Sequence, residues 1–192
     1  DMLIPGNGES MKVMETPPDD LGLAAVRDRV AALTDLSMVR EFCDFIIAGL
    51  GDRPLPVYET IDLMRVPHLA PHVFVHDYRG GVERGMLVKF SGTAIDEHYG
   101  RVLQGRYVED VYTGVDGPGH YFPLHYQAIA DCRPFFARRS IVFDRGRSTE
   151  RYKQSTTLYF PCSSDGKTAN YGIGVVVFGP AQEESESVYL IL

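Results

Sequence analysis

Tryptophan is absent from this chain, and cysteine occurs only three times, at Cys43, Cys132 and Cys162. An odd, widely spaced set with no CxxC pair suggests neither a zinc site nor a redox dithiol, so the three read as small buried thiols. Basic residues are also scarce: 19 Lys and Arg stand against 26 Asp and Glu, for a net charge of -7. The mean field of such a chain repels phosphate backbones and anionic lipid, which argues against nucleic acid and membrane surfaces as partners. Long apolar runs are missing too. None approaches the ~20 residues that cross a bilayer, and the opening DMLIPGNGES lacks the basic start and apolar middle of a leader peptide. A cytoplasmic protein is expected.

What is present is a foldable amount of apolar material, 44% of 192 residues, enough for one ordinary core. Residues 1–20 mix Gly, Pro, Asp and Glu without periodicity and read as a flexible arm. Over residues 21–50, Val26, Val30 and Leu33, then Val39, Phe42, Ile46 and Leu50, fall at helical spacing on one stripe. Thr34 and Asp35 are placed to cap a second helix inside this span, and Gly49 and Gly51 end it.

Strand signals follow. Residues 72–78 predict a short strand with Val73 and Val75 on one face, and Gly80-Gly81 close a hairpin onto a run carrying Met86, Val88 and Phe90. Thr93 with Asp96 three residues on has capping-box form for a helix to Tyr99, which Gly100 stops. The interval 102–115 reads as short turns. A helix then starts near Tyr121 or Phe122, carries Phe122, Tyr126, Ile129 and Cys132 inward, and ends before Pro134. Three strands remain, over 135–145, 150–161 and 170–178. The last, YGIGVVVF, is apolar on both faces, so the sheet it joins must be covered on both sides. The helical segment before Leu50 is the candidate cover for the second side. Beyond the acidic PAQEESES, the apolar end VYLIL needs a partner surface, either a sheet edge or a dimer contact.

Familiar catalytic and ligating patterns do not emerge. Gly92, Gly100 and Gly105 fit neither GxGxxG nor GxxxxGK[ST], so KFSGTAIDEHYGRVLQGR reads as helix punctuation, with Arg101 and Arg106 solvated or on helix-end carbonyls. His68, His72 and His76 have HxxxH spacing, but the intervening prolines deny them a helix, and on a strand His72 and His76 stand ~13 Å apart. No metal is expected. No GxSxG elbow occurs, and Asp96-Glu97 reads as a first-turn charge pair. Arg138, Arg139, Arg145, Arg147, Arg151 and Lys153 concentrate around one hairpin and read as a solvated rim, with an anion or partner patch as the other reading.

The order strand, strand, short helices, longer helix, three strands resembles the Per-Arnt-Sim (PAS) sensory fold. MLVKFSGTAIDEHYGRVLQGRYVEDV resembles its second strand, helix and G-R-x-L-x-G segment. LPVYETIDLMRVPHLAPHVFVHDY and LYFPCSSDGKTANYGIGVVVF resemble the alphaproteobacterial PAS-like family labelled PAS_5, the likeness covering residues 39–178. It implies an α/β (α+β) fold: a PAS-like five-stranded antiparallel sheet with helices on one face and an N-terminal helix on the other. The organisation expected is an arm over 1–20, a helical segment over 21–50, the PAS-like domain over 55–179 and a tail over 180–192.

Functionally the resemblance implies a non-catalytic sensory or protein-interaction domain in bacterial regulation and transfers no catalytic residue. YGRVLQG also resembles the flavin-photosensor motif NCRFLQG, but Gly100 occupies the slot of the cysteine and Tyr99 that of the asparagine. No flavin-cysteinyl photochemistry is expected at a residue without a nucleophile. The nature of any cofactor is left open. A small-molecule ligand is expected between sheet and helices, against Tyr99, Tyr112, Tyr121, His125, Tyr126, Tyr152 and Tyr171, rings that offer an apolar body and a polar tip. A homodimer is expected through the N-terminal apolar stripe, with a signalling partner protein of unknown identity. Two alternatives stand beside this one: a cone-shaped α+β enzyme using His125 with an acid such as Asp96, and a ligand-free scaffold.

Overall fold

The computed structural model describes residues 23–111, 121–142, 152–180 and 187–192. Its centre is an antiparallel sheet of six strands in the order β2-β1-β5-β4-β3-β6: β1 Val73–Asp77, β2 Leu87–Ser91, β3 Phe135–Val142, β4 Tyr152–Ser163, β5 Ala169–Pro180 and β6 Val188–Ile191. The expected five are all there, in the nested order of a PAS-like α+β fold. The sixth is the apolar end of the chain, which adds to the open edge of β3 through pairs such as Phe136 with Leu190. Leu192 extends this attachment, donating its N–H to the Pro134 carbonyl.

β5 lies between β1 and β4 and explains its two-sided sequence. Tyr171, Ile173 and Val175 point to one face, into a core with Val73, Val75, Leu158 and Phe160. Gly172 and Gly174 alternate with them on the other face, where the rings of Tyr159 and Phe74 need the space of the missing side chains. A Cβ on Gly174 would stand 2.4 Å from the Phe74 ring.

The first face is covered by α1 Leu23–Leu33 and α2 Ser37–Ala48. Val39, Phe42, Cys43 and Ile46 recur at helical spacing and are all buried against the sheet. Burying each large side chain of this stripe stabilises the fold by ~1.5–3 kcal/mol, so the stripe is engaged within the chain. α2 is not side-chain capped: its N-cap is Leu36, while the Thr34 hydroxyl accepts the Leu36 N–H one step earlier.

The second face carries α3 Thr93–Tyr99, α4 Val108–Val111 and α5 Tyr121–Asp131. Here the sequence reading needs two corrections. The α3 N-cap is Gly92, with no side-chain cap, and Asp96 reaches forward to accept the Leu103 N–H at 3.1 Å. Thr93 is already helical, so its hydroxyl cannot serve as the cap. The interval after Gly100, expected as turns only, contains the short α4. Glu109 of that helix accepts the Met86 N–H and the Tyr126 hydroxyl, which ties α4 to the start of β2 and to α5.

Gly100 does stop α3, at φ 64, a left-handed conformation that side-chain-bearing residues resist. Arg101 and Arg106 bond the carbonyls of Val111 and Val102. Among the described residues no helix is long and apolar enough to cross a membrane.

Candidate functional site

A cavity of about 40 Å³ lies between the sheet and α3 and α4. One water needs ~10–15 Å³, so the space exceeds a single water site. Its wall is mostly apolar, with Phe74, Val88, Ile95, Leu103 and Val176 among the residues around it. Polar groups are few: His76, Ser91, Tyr99 and Arg139.

How these reach one face depends on register. Phe74, His76 and Tyr78 alternate onto the helix side of β1, the face opposite Val73 and Val75. On β2, regular alternation would keep Val88 and Phe90 together, as the sequence reading has them. A bulge breaks it: Val75 pairs with Phe90 but His76 pairs with Val88, leaving Lys89 as the extra residue. Val88 therefore packs on the helix side while Phe90 joins the other core, and Ser91, opposite Phe74, lines the cavity.

His76 is the most deeply placed polar group of the wall, 6% exposed, and its Nδ1 has no hydrogen-bond partner among the described residues. Desolvation by burial, and secondarily the neighbouring His125, hold its pKa well below the ordinary imidazole value. The ring is therefore neutral at pH 7, with one N–H and one lone pair. Around it stand Phe74 at 4.9 Å, His125 at 5.2 Å and Tyr159 at 5.9 Å between ring centroids. The hydroxyls of Tyr78 and Tyr159 bond each other at 2.7 Å.

The expected site residues separate in space. Tyr99 lines the cavity. His125 is buried beside it, in contact with His76, Phe135 and Tyr159. Tyr126 directs its hydroxyl at 2.6 Å to Glu109, and the phenol pKa is raised by burial and then by that bond and charge. Tyr171 lies on the opposite face, stacked on Tyr58 at 4.7 Å with the Arg79 cation over its ring. Its odd-numbered place on β5 turns it away from the cavity. Tyr112 falls outside the described residues; Tyr121 opens α5 and Tyr152 opens β4, their side chains lying outside what is described.

Phe74, His76, Ser91 and Arg139 were not among the sequence candidates for this cavity. The signal for the first two was the alternation Phe74-His76-Tyr78, ring-bearing at every second position. Arg139, read as part of a solvated rim, is 9% exposed and lines the cavity, because its strand places it in register with Ser155 and Phe178 on the helix side. Arg145, Arg147 and Arg151 lie outside the described residues.

The histidine triplet diverges: His68 meets Glu41 at 2.9 Å, His72 meets the Val176 carbonyl at 3.2 Å and His76 faces the cavity. Of the pair named for the enzyme alternative, His125 packs among His76, Phe135 and Tyr159, and the Asp96 carboxylate accepts the Leu103 N–H.

No family model matches the sequence, and no curated protein matches it. Among solved structures the chain is similar to the LOV domain from the Erythrobacter litoralis EL346 blue-light activated histidine kinase, with 16% identity, a TM-score of 0.40 and coverage of 57% of this chain and 96% of that one. It is similar to the PAS domain of Bordetella pertussis BvgS, with 18% identity, a TM-score of 0.43 and coverage of 62% and 85%. A third similar structure is an RNA-binding light-oxygen-voltage receptor, at 12% identity, a TM-score of 0.43 and coverage of 81% and 52%. No cavity residue is carried over from any of them.

Proposed function

We propose that this chain is a non-catalytic sensory domain of the PAS type, of the PAS_5 kind that its motifs resemble, whose input is a small molecule taken up between the sheet and α3 and α4. The observation that carries this reading is the buried Nδ1 of His76, without a partner among the described residues, in the wall of a mostly apolar cavity. A buried polar atom without a partner costs ~1–3 kcal/mol, a cost that a bound molecule relieves. Apolar walls with a few placed polar groups are the usual chemistry of a small-molecule site.

Signalling then requires that the ligand prefer one packing of α3 and α4 over another. The Glu109 link to Met86 and Tyr126 makes α4 the natural element to report occupancy, because it joins the cavity wall to β2 and α5. Native mass spectrometry of freshly purified protein, with a thermal-shift screen, tests the reading. A retained small molecule, or compounds that raise the melting temperature in native protein but not in Val88→Trp, is the expected result. An empty protein that no compound stabilises, with Val88→Trp at least as stable as the native chain, would overturn it.

A further inference from the structure

Size decides first which molecules the cavity admits. One water takes ~10–15 Å³, so a cavity of about 40 Å³ has the room of about three waters, or of three to four non-hydrogen atoms. Apolar cavities that take a benzene ring measure ~150 Å³. A ring-sized molecule is therefore excluded unless the wall repacks.

Charge decides next. Among the described residues the wall holds one formal charge, the Arg139 cation, and no carboxylate. Arg139 is only 9% exposed, so its field in the cavity is weakly screened by water. A guanidinium also carries five N–H donors, more than a single partner takes up. His76 and Ser91 stand in the same wall, and the His76 Nδ1 and the Ser91 Oγ are buried atoms without partners among the described residues. Both can donate, the hydroxyl by rotating and the neutral imidazole as its Nδ1–H tautomer. Phe74, Val88, Ile95 and Val176 make the neighbouring wall apolar.

We infer that the cavity takes a small monoanion of three or four non-hydrogen atoms, a short-chain carboxylate of the size of acetate, its charge answered by Arg139 and its oxygens by donors from His76 and Ser91. This rests on the sensory reading above and names its ligand class. A carboxylate only accepts hydrogen bonds, which matches a wall whose polar side chains can all donate. Its desolvation is costly in an apolar cavity, and a buried cation in the wall is what offsets that cost. The neutral isostere acetamide has the same size but forgoes the charge-assisted bonds.

The test compares acetate, acetamide and benzoate on the full chain at pH 7 and constant ionic strength, read by calorimetry and by the long-range ¹H–¹⁵N spectrum of the histidine rings. A ligand of four non-hydrogen atoms binds no more tightly than ~40 µM, so the titrations run to millimolar concentrations. Acetate should bind about tenfold more tightly than acetamide, the factor by which hydrogen bonds to a charged group exceed neutral ones. It should also hold His76 as the Nδ1–H tautomer, and benzoate should not bind. In Arg139→Gln the preference for acetate over acetamide should disappear. Acetamide binding as tightly as acetate to the native protein, a His76 Nδ1 without its proton at saturating acetate, or benzoate binding as well as acetate would each overturn the inference. These outcomes are read on the native chain and stand even if Arg139→Gln does not fold. Failure of acetate to bind while the broader screen returns another compound would remove the inference alone. Failure of both would remove the sensory reading beneath it.

Discussion

The imidazoles of His76 on β1 and His125 on α5 lie 5.2 Å apart between centroids, tilted by 47°, at 6% and 0% exposure. Two titratable rings thus share an aromatic interior beside the cavity. Their setting makes the core sensitive to pH.

The folded-state pKa of His76 is lowered, first by burial and then by His125. Above the unfolded value of about 6.5 both states are neutral and its contribution is intact. As the pH falls through 6.5 the unfolded chain takes up a proton that the folded chain refuses, so stability is lost, by up to ~1.4 kcal/mol per pH unit. Urea unfolding at about pH 7.5 and about pH 5.5 should show this loss, and His76→Phe should reduce it. Equal pH slopes in native protein and variant would contradict the assignment.

The Tyr126 hydroxyl and Glu109 carboxylate, 2.6 Å apart, should behave as a coupled pair. Tyr126→Phe is expected to cost ~1–2 kcal/mol, since it leaves a carboxylate oxygen short of a donor. A double-mutant cycle with Glu109→Gln should give a coupling near ~1 kcal/mol. Additive effects would mean that the bond does not hold α4 in place.

Thiol reactivity should split one to two. Cys132, read from the sequence as buried, is instead exposed at the left-handed turn just after α5, while Cys43 and Cys162 are buried. Burial, with Asp44 adding to it, pushes Cys43 up to about 12, and burial likewise raises Cys162. A thiol reagent at neutral pH should modify Cys132 rapidly and the other two only at the rate of unfolding. Fast reaction at Cys43 would show that α2 does not cover the sheet.

Gly174→Ala should destabilise by ~1–3 kcal/mol, because the new methyl group meets the Phe74 ring, which is itself packed beneath His76 and Tyr159. Chemical denaturation measures it. A neutral effect would mean that Phe74 has room to withdraw.

YGIGVVVF already carried this two-sidedness: apolar residues in both parities of one strand required cover on both faces, and the helical stripe of Val39, Phe42 and Ile46 was the available cover. The apolar tail was legible as needing a surface, although only the structure showed that β3 supplies it. The site was less legible because it depends on register. One bulge at Lys89 parts Phe90 from Val88 and places it in the other core, and one step of parity on β5 removes Tyr171 from the cavity. Composition could suggest tyrosines as lining, but it could not show that a buried histidine on β1 would be the polar group facing the space.

The most direct measurement is methyl NMR during titration with a compound that the thermal-shift screen returns, because the two faces of the sheet carry separate sets of probes. Val88, Ile95, Leu103 and Val176 line the cavity, whereas Val39, Ile46, Val73 and Ile173 lie in the opposite core. Saturable shifts confined to the first set are the predicted result. Shifts confined to the second set, or none in either at concentrations that saturate binding, would contradict a ligand site between the sheet and α3 and α4.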